Sequence, residues 1–500
     1  MAHDQNIRDE ILESDHRHYL ISASAGSGKT TMLVDKSFTI IERKLIKPYQ
    51  QIAMITFTRL ATRQIKEKVI EKMEGIEDRN DYLKRIKIIT TESFILSEVI
   101  KPFLRDAFGS EFPGGDNFIQ NYNNNYKFRD LNEGLMQIKT QNIIGSFYDS
   151  NKNFTYQLGL EVFKRSVNAQ KYFKARFPVL MIDEYQDVDN DMHQLYIFLK
   201  DTLRLRLVVV GDIKQLLYSF RGASSEIMES LMNDDELQKY HLTENFRSHL
   251  SIVNYSYHFF DGIDTPIIPY NENRIRFYSK TDIIENIDSF LNEVSFKEED
   301  TFAYLFARRN QWDDERVWWE DKGFIFIDKT PLDSAYPNFD VLEPILKLYF
   351  NPGHYNVFNM LDDLNIDLKA STINKAELLR KKLSDNLTEV LKIVEEITGR
   401  TILDEEKGKF SDTLDKKYKV NFLLNKPKRL ALTIHGAKGL EFDHVFINAD
   451  SFFDYYGNFT KQTHYVAITR PKKSLHIVKN KRYESVLSGL GINISNNVYT

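Results

Sequence analysis

Short apolar runs alternate along this chain with longer stretches whose apolar positions repeat at helical spacing, the pattern of doubly wound α/β units on parallel strands. The runs at 19–21, 52–57, 86–89, 179–182 and 205–210 predict one parallel sheet. A second group, at 275–278, 301–306, 324–327, 431–434, 444–447 and 475–478, predicts another. Two interruptions break the alternation. Residues 103–171 are rich in Asn and aromatics before turning helical, and residues 342–425 are mostly helical and heavily charged. The expected fold is therefore α/β, with two doubly wound parallel-sheet domains carrying mainly helical insertions. The first domain spans 1–102 and 172–250 with a small insertion at 103–171; the second spans 251–341 and 426–500 with a reduced helical insertion at 342–425. No internal repeat of 20 to 50 residues is visible.

Composition narrows the classes. The 500 residues are 42% hydrophobic, ample for several cores. No apolar run approaches the roughly 18 residues of a membrane span, and residues 1–10 lack a signal-peptide profile, so a cytoplasmic protein without membrane contact is expected. With no Cys, disulfides, iron–sulfur clusters and thiol nucleophiles are excluded. The net charge of −5 means that any nucleic-acid contact must come from local patches.

Two stretches carry the sharpest chemistry. The run Tyr19-Leu20-Ile21-Ser22 leads into Ala23-Ser24-Ala25-Gly26-Ser27-Gly28-Lys29-Thr30, a phosphate loop with Ala in place of its first glycine. Gly26 and Gly28 can take positive φ, so backbone N–H groups of Ala25 to Thr31 can approach a polyphosphate at a helix N-terminus. Lys29 can reach the β- and γ-phosphates, and the Thr30 hydroxyl can bind Mg²⁺. Alone, this loop says only nucleoside triphosphate, since kinases and GTPases share it. The second stretch is Val179-Leu180-Met181-Ile182 followed by Asp183-Glu184-Tyr185-Gln186-Asp187. Asp183 at a strand tip can hold Mg²⁺, and Glu184 can orient and deprotonate an attacking water. Acidic pairs also start helices by complementing the dipole; the phosphate loop favours the catalytic reading.

Five further stretches follow in order: Ile55-Thr56-Phe57-Thr58-Arg59; Leu207 through Gly211-Asp212-Ile213-Lys214-Gln215 to Tyr218-Ser219-Phe220-Arg221; Leu242-Thr243-Glu244-Asn245-Phe246-Arg247-Ser248; Thr433-Ile434-His435-Gly436-Ala437-Lys438-Gly439-Leu440-Glu441; and Tyr465-Val466-Ala467-Ile468-Thr469-Arg470. Across residues 21–475 the chain resembles the UvrD/Rep-like helicases of superfamily 1. That resemblance implies two RecA-like domains, ATP with Mg²⁺, single-stranded DNA and 3′-to-5′ travel. It implies arginine fingers at Arg247 and Arg470, a γ-phosphate sensor at Gln215, a ribose contact at Glu441 and an adenine-reading glutamine at Gln5. For DNA it implies Phe57, Thr58, Arg59, Tyr218, Phe220 and His435, with aromatics stacking on bases. Basic clusters at Arg63, Lys66 and Lys68, and at Lys426, Lys428, Arg429 and Lys438, lie beside these motifs.

The pattern also departs from the family. The second insertion is short for a full accessory domain, and Thr91-Glu92-Ser93-Phe94 stands where a His is expected. Processive unwinding is therefore in question. The compact length, the run at 182–200, the segment at 330–338 and the ending His464-Tyr465-Val466-Ala467 are similar to the helicase-like subunits of Gabija anti-phage defence systems. That resemblance implies a partner nuclease subunit with an ABC-type ATPase and a Toprim domain, joined in a hetero-oligomer. DNA ends or single strands would be sensed, and ATP turnover would activate the nuclease. The alternative is an autonomous 3′-to-5′ helicase in repair or replication.

Overall fold

The computed structural model of the protein describes residues 4–77, 79–115, 118–122, 124–217, 222–260, 268–292, 296–307, 315–334, 338–364, 366, 368–492, 494–495 and 498–499. The chain divides into two compact units, one of residues 1–112, 149–322 and 433–500, the other of 113–148 and 323–432.

In the first unit, helix α1 (Gln5–Glu13) precedes strand β1 (His18–Ala23) and helix α2 (Lys29–Glu42). Then come β2 (Ile52–Thr56), α3 (Arg59–Lys72), β3 (Ile86–Thr90), β4 (Val179–Ile182), β5 (Arg206–Gly211) and β6 (Leu237–Leu242). The strands form one parallel sheet in the order β6-β1-β5-β4-β2-β3. Strands β2 and β4 are buried at every position, as expected for a sheet covered on both faces. Tyr19, Ile21, Met32, Leu33, Phe38, Met54, Met181 and Val208 belong to one core cluster, which explains why the short apolar runs became strands. Registers such as Ser22 opposite Gly211 and Ile55 opposite Ile182 align the carboxyl ends of β1, β5, β4 and β2. Parallel sheets collect ligand-handling loops at that edge, and every motif of the first half emerges there.

Within the second sheet β8 (Phe302–Phe306), β9 (Phe442–Asn448), β10 (Pro471–Val478) and β7 (Ile275–Tyr278) lie side by side in that order and in parallel, and β7 also pairs antiparallel with Val498–Tyr499. Between β9 and β10 lies helix α4 (Lys461–Ile468). This is the two-domain RecA-like architecture expected from the sequence.

The compact units meet at 112/113 and 148/149, inside the stretch 103–171 read as an insertion. Helices Phe154–Arg165 and Val167–Arg176 stay with the first unit because their aromatics join its core. Phe173 lies 5.3 Å from Phe94 and 4.9 Å from Phe163, and Phe94 lies 5.0 Å from Phe177. Thr91, where a His was expected, bonds the Tyr196 hydroxyl at 2.8 Å.

The second unit is helical around Leu342, Ile345, Met360, Leu379, Val390 and Phe410. Glu406 accepts from the Asn338 backbone at 2.9 Å and from the Leu403 backbone at 2.8 Å, tying a helix start to the preceding loop. The short strands Ile325–Phe326 and Arg429–Thr433, placed by the sequence at 324–327 and 431–434, pair in parallel within this unit at 325–326 and 430–431.

Buried histidines add an acid liability. His464 is wholly buried, and burial lowers its pKa to about 3. His476 is driven well below its ordinary value by burial, His444 and Arg276. Both are protonated more readily in the unfolded chain, so their stabilisation is complete above the unfolded pKa of about 6.5 and is lost as pH falls below it. Denaturant titrations at pH 7 and pH 5 should show a loss of about 2 kcal/mol per such histidine. A pH 7-to-5 change in unfolding free energy that is the same in the wild type and in His464→Gln would contradict this.

Candidate nucleotide site

The phosphate loop between β1 and α2 has the conformation its glycines allow. Gly26 and Gly28 have φ of +73° and +78°. A Cβ on Gly26 would meet Asn245 Oδ1 at 2.5 Å, so this position requires glycine for space as well as for backbone. Lys29, the first residue of α2, is 9% exposed. Its Nζ is buried and makes no hydrogen bond to any described residue, and the Ser27 hydroxyl is in the same condition. A buried cation with no hydrogen-bond acceptor is costly, so this loop fits an anionic group that the protein does not itself supply. The Thr30 hydroxyl donates to Asp183 Oδ2 at 2.9 Å, bringing together the two side chains expected at Mg²⁺. Thr31 accepts from Lys68 Nζ at 3.0 Å, so that lysine of the first basic cluster is tied to the loop.

Beyond β4, Glu184 takes φ +54°, an unusual conformation for a residue with a Cβ. Burial, then Glu184, push the Asp183 carboxyl up to about 6. Burial acts on Glu184 in the same sense, but Lys29, Lys438, Gln186 and Arg470 together overcome it and hold that carboxyl below its ordinary value. Cations from both halves of the motif series therefore converge on one carboxylate. Gln186 links the acid pair to the loop after β5: its Nε2 donates to Glu184, and its Oε1 accepts from the Asp212 backbone at 2.9 Å. Asp212 in turn accepts from Gln215 Nε2 at 2.6 Å.

The second sheet contributes Arg470 and Glu441. Arg470 is 1% exposed; its Nη2 donates to Gln215 Oε1 at 3.3 Å and its Nε to the Val466 carbonyl at 2.9 Å. Lys438, expected in a basic DNA patch, instead pairs with Asp187 and donates to the Gln215 carbonyl at 3.1 Å. Arg247 Nε donates to Glu441 Oε2 at 2.8 Å, and Lys472 lies 2.7 Å from Glu441 Oε1. Glu441 is thus held by two cations, and its carboxyl sits below its ordinary value.

Several residues at this site were not singled out from the sequence. Asn245 Nδ2 donates to the Ala25 carbonyl at 2.8 Å, while its Oδ1 accepts from the backbones of Arg247 at 2.8 Å and Ser248 at 2.9 Å. Phe246 N donates to the Gly26 carbonyl at 2.9 Å. Together these bonds weld the Arg247 loop to the phosphate loop. Asp4, 1% exposed, accepts from the backbones of Thr243 and Glu244 at 2.6 and 2.7 Å. Arg8 donates to the Ser27 carbonyl at 2.6 Å and lies over the Phe246 ring at 4.9 Å. Arg8 acts through a backbone carbonyl, so no spacing in the sequence marks it. Gln5 itself is on the exposed side, donating to Asp9 at 2.7 Å.

The DNA candidates are less gathered. Thr58 caps α3 by accepting from the Ala61 backbone at 3.2 Å, Phe57 precedes it, and Arg59 opens the helix. His435 lies in the short helix Ile434–Ala437, capped by Thr433 at 3.0 Å from Gly436 N. Tyr218 and Phe220, with the rest of 218–221, lie outside the described residues, as do 335–337.

Two parallel sheets with phosphate-loop, acid-pair and arginine motifs define an ATP-hydrolysing enzyme of the UvrD-like helicase class. Residues 8–221 match the AAA domain model, and residues 271–482 match the UvrD-like helicase C-terminal domain model. Gabija protein GajB of Bacillus cereus is 34% identical over 498 residues, covering 97% of both chains, and this chain belongs to the GajB family. ATP-dependent DNA helicase PcrA of Staphylococcus aureus is 25% identical over 289 residues, 51% of this chain and 39% of PcrA. The Staphylococcus epidermidis PcrA is 26% identical over 286 residues, 49% of this chain and 38% of that protein.

Asn245→Ala removes the side chain that holds both loops while leaving every titratable group in place. ATP turnover should fall about tenfold or more, with a stability loss of about 1–3 kcal/mol from the vacated backbone partners. Steady-state turnover and denaturant unfolding check both; an unaltered turnover would show that the two loops do not need this pin.

Proposed function

We propose that the chain is the DNA-dependent ATPase of a Gabija-type anti-phage complex, sensing DNA ends or single strands and using ATP hydrolysis to activate a partner nuclease. The observation that carries the ATPase reading is the buried Lys29 ammonium, without a hydrogen-bond partner among the described residues, beside Asp183 and Glu184. In this reading Lys29 and the loop N–H groups hold the β- and γ-phosphates of ATP. Thr30 and Asp183 hold Mg²⁺, which neutralises phosphate charge when bound. Glu184, kept ionised by its surrounding cations, orients the attacking water and accepts its proton. Arg470 and Arg247 stabilise charge developing on the transferred group, an effect worth about 10³ to 10⁵ in rate for arginine fingers generally. Gln215 bonds Arg470 and, through Asp212 and Gln186, communicates with Glu184. Occupancy of the γ-phosphate position is thereby read out along one chain of hydrogen bonds.

The same reading places the domain edges near residues 250 and 426, so that the two sheets close on ATP and reopen after hydrolysis. Phe57, Thr58, Arg59, Tyr218, Phe220 and His435 then contact a DNA strand, and travel is 3′ to 5′. Support for the nuclease-linked role comes from the similarity to Gabija protein GajB along nearly the whole chain. The partner is a nuclease subunit with ABC-type ATPase and Toprim domains.

Lys29→Met tests the site twice. DNA-stimulated hydrolysis should drop by at least about 100-fold, and the Glu184 carboxyl, having lost its leading cation, should titrate higher than in the wild type. Wild-type turnover in this variant would refute the assignment. Strand-displacement assays of the purified protein address the second component. Efficient unwinding without a nuclease would favour a solitary motor, whereas DNA-stimulated hydrolysis with negligible unwinding supports the regulatory role.

A further inference from the structure

Between β9 and α4 the chain makes a tight hairpin whose tip serves neither the nucleotide site nor either sheet. Tyr455 and Tyr456 stand there 89% and 86% exposed, above every other large hydrophobic side chain among the described residues. Their rings are 5.5 Å apart at 87°. The tip is pre-formed. Asp454 N donates to the Asn458 carbonyl at 3.0 Å, and the Asp454 carboxylate accepts from Asn458 N at 2.8 Å and from its Nδ2 at 3.0 Å. Gly457 supplies the φ of +84° that closes the turn. Two adjacent tyrosines on such a frame lose little conformational freedom on binding, and tyrosine is favoured where interfaces concentrate their energy.

The base of the hairpin is anchored in the core beside α4. Phe453 and Phe459 bridge its two arms with rings 5.6 Å apart, and Thr460 N donates to the Phe452 carbonyl at 2.8 Å. Phe459 and Phe452 pack on His464 of α4 at 5.1 and 4.8 Å, and His464 bonds the Tyr483 hydroxyl at 2.6 Å. Arg470 donates to the carbonyl of Val466 on the same helix. A rigid path thus runs from the exposed tip to the helix that positions Arg470.

We propose that the Tyr455–Tyr456 hairpin is a protein-docking knob that seats in an apolar cleft edged by lysine or arginine on the partner nuclease subunit. This rests on the complex assigned under Proposed function. The charge of the hairpin selects a protein over DNA: from 449 to 460 its only charged residues are Asp450 and Asp454, which would repel a phosphate backbone. Asp454 is held ionised by its bonds from Asn458. Lys481 and Arg482 follow Asn480, which donates to Asp450, so a DNA contact is the competing outcome to be measured. Docking at the tip would transmit through His464 and α4 to Arg470, giving the partner a grip on ATP turnover.

The test uses the full chain, wild type and Tyr455→Ala/Tyr456→Ala, with the purified nuclease subunit of the same system, followed by sedimentation and calorimetry. Both tyrosines are exposed, so the variant should keep the wild-type thermal midpoint and basal DNA-stimulated turnover within about twofold. Affinity for the nuclease should fall about tenfold or more, consistent with two hot-spot residues. Adding the nuclease should change wild-type turnover and leave that of the variant unaltered. Equal assembly by both chains would overturn the knob while leaving the ATPase–nuclease reading intact. Loss of oligonucleotide binding with retained assembly would reassign the hairpin to DNA. A wild-type chain that fails to bind the nuclease at all would sink both the complex and this proposal.

Discussion

A single buried cation without a hydrogen-bond acceptor among the described residues organises this molecule. Lys29 begins α2 at the edge where the strands of the first sheet end, and its ammonium is buried without a hydrogen bond to any described residue. Leaving a cation in that condition opposes folding, so the surroundings are arranged to limit the cost. Glu184 and Asp183 face it electrostatically, and Glu184 adopts a left-handed backbone to be there. Strain and desolvation at one spot are the usual marks of a site awaiting a ligand.

Rigidity around that charge comes from elements of low individual prominence. Helix α1 is fixed at its C-terminal end by Lys36, whose buried ammonium donates to the carbonyls of Ile11 at 2.6 Å, Leu12 at 3.1 Å and Ser14 at 2.7 Å. Asp4 fixes its other end to residues 243–244, and Arg8 ties its middle to the phosphate loop. Asn245 closes the circuit between that loop and Arg247. A short N-terminal helix therefore acts as a brace across the phosphate loop and the arginine loop, and the fixed frame is what lets distant cations meet at Glu184.

Much of this was legible in the residues. The apolar runs located β1 to β5 and β7 to β10 because buried parallel strands must be apolar on both faces, but they missed the edge strand β6, where Gln238, Lys239 and His241 break the run; the phosphate loop announced itself through glycines that only a positive φ explains. Lys29, Thr30, Asp183, Glu184, Gln215 and Arg470 are brought together as the motif order implied. The brace was hidden because Asp4, Arg8 and Asn245 act through backbone carbonyls and amides, which leave no pattern of side-chain types. Lys438 misled for the complementary reason: within a basic run its partner Asp187, distant in sequence, is invisible. The edges at 112 and 148 were hidden too, since the aromatics that hold residues 154–176 to the first core show no spacing distinct from those of an insertion.

In the proposed mechanism one triphosphate is gripped from both sheets, by Lys29 on one side and Arg470 on the other. A crystal structure with ADP, Mg²⁺ and aluminium fluoride, the last standing in for the transferring phosphoryl group, tests it most directly. The Lys29 ammonium and the Arg470 guanidinium should both lie within hydrogen-bond distance, about 3 Å, of the fluoride group. Nucleotide bound at the loop with Arg470 still committed to Val466 and Gln215, and no second-sheet cation on the fluoride, would contradict it.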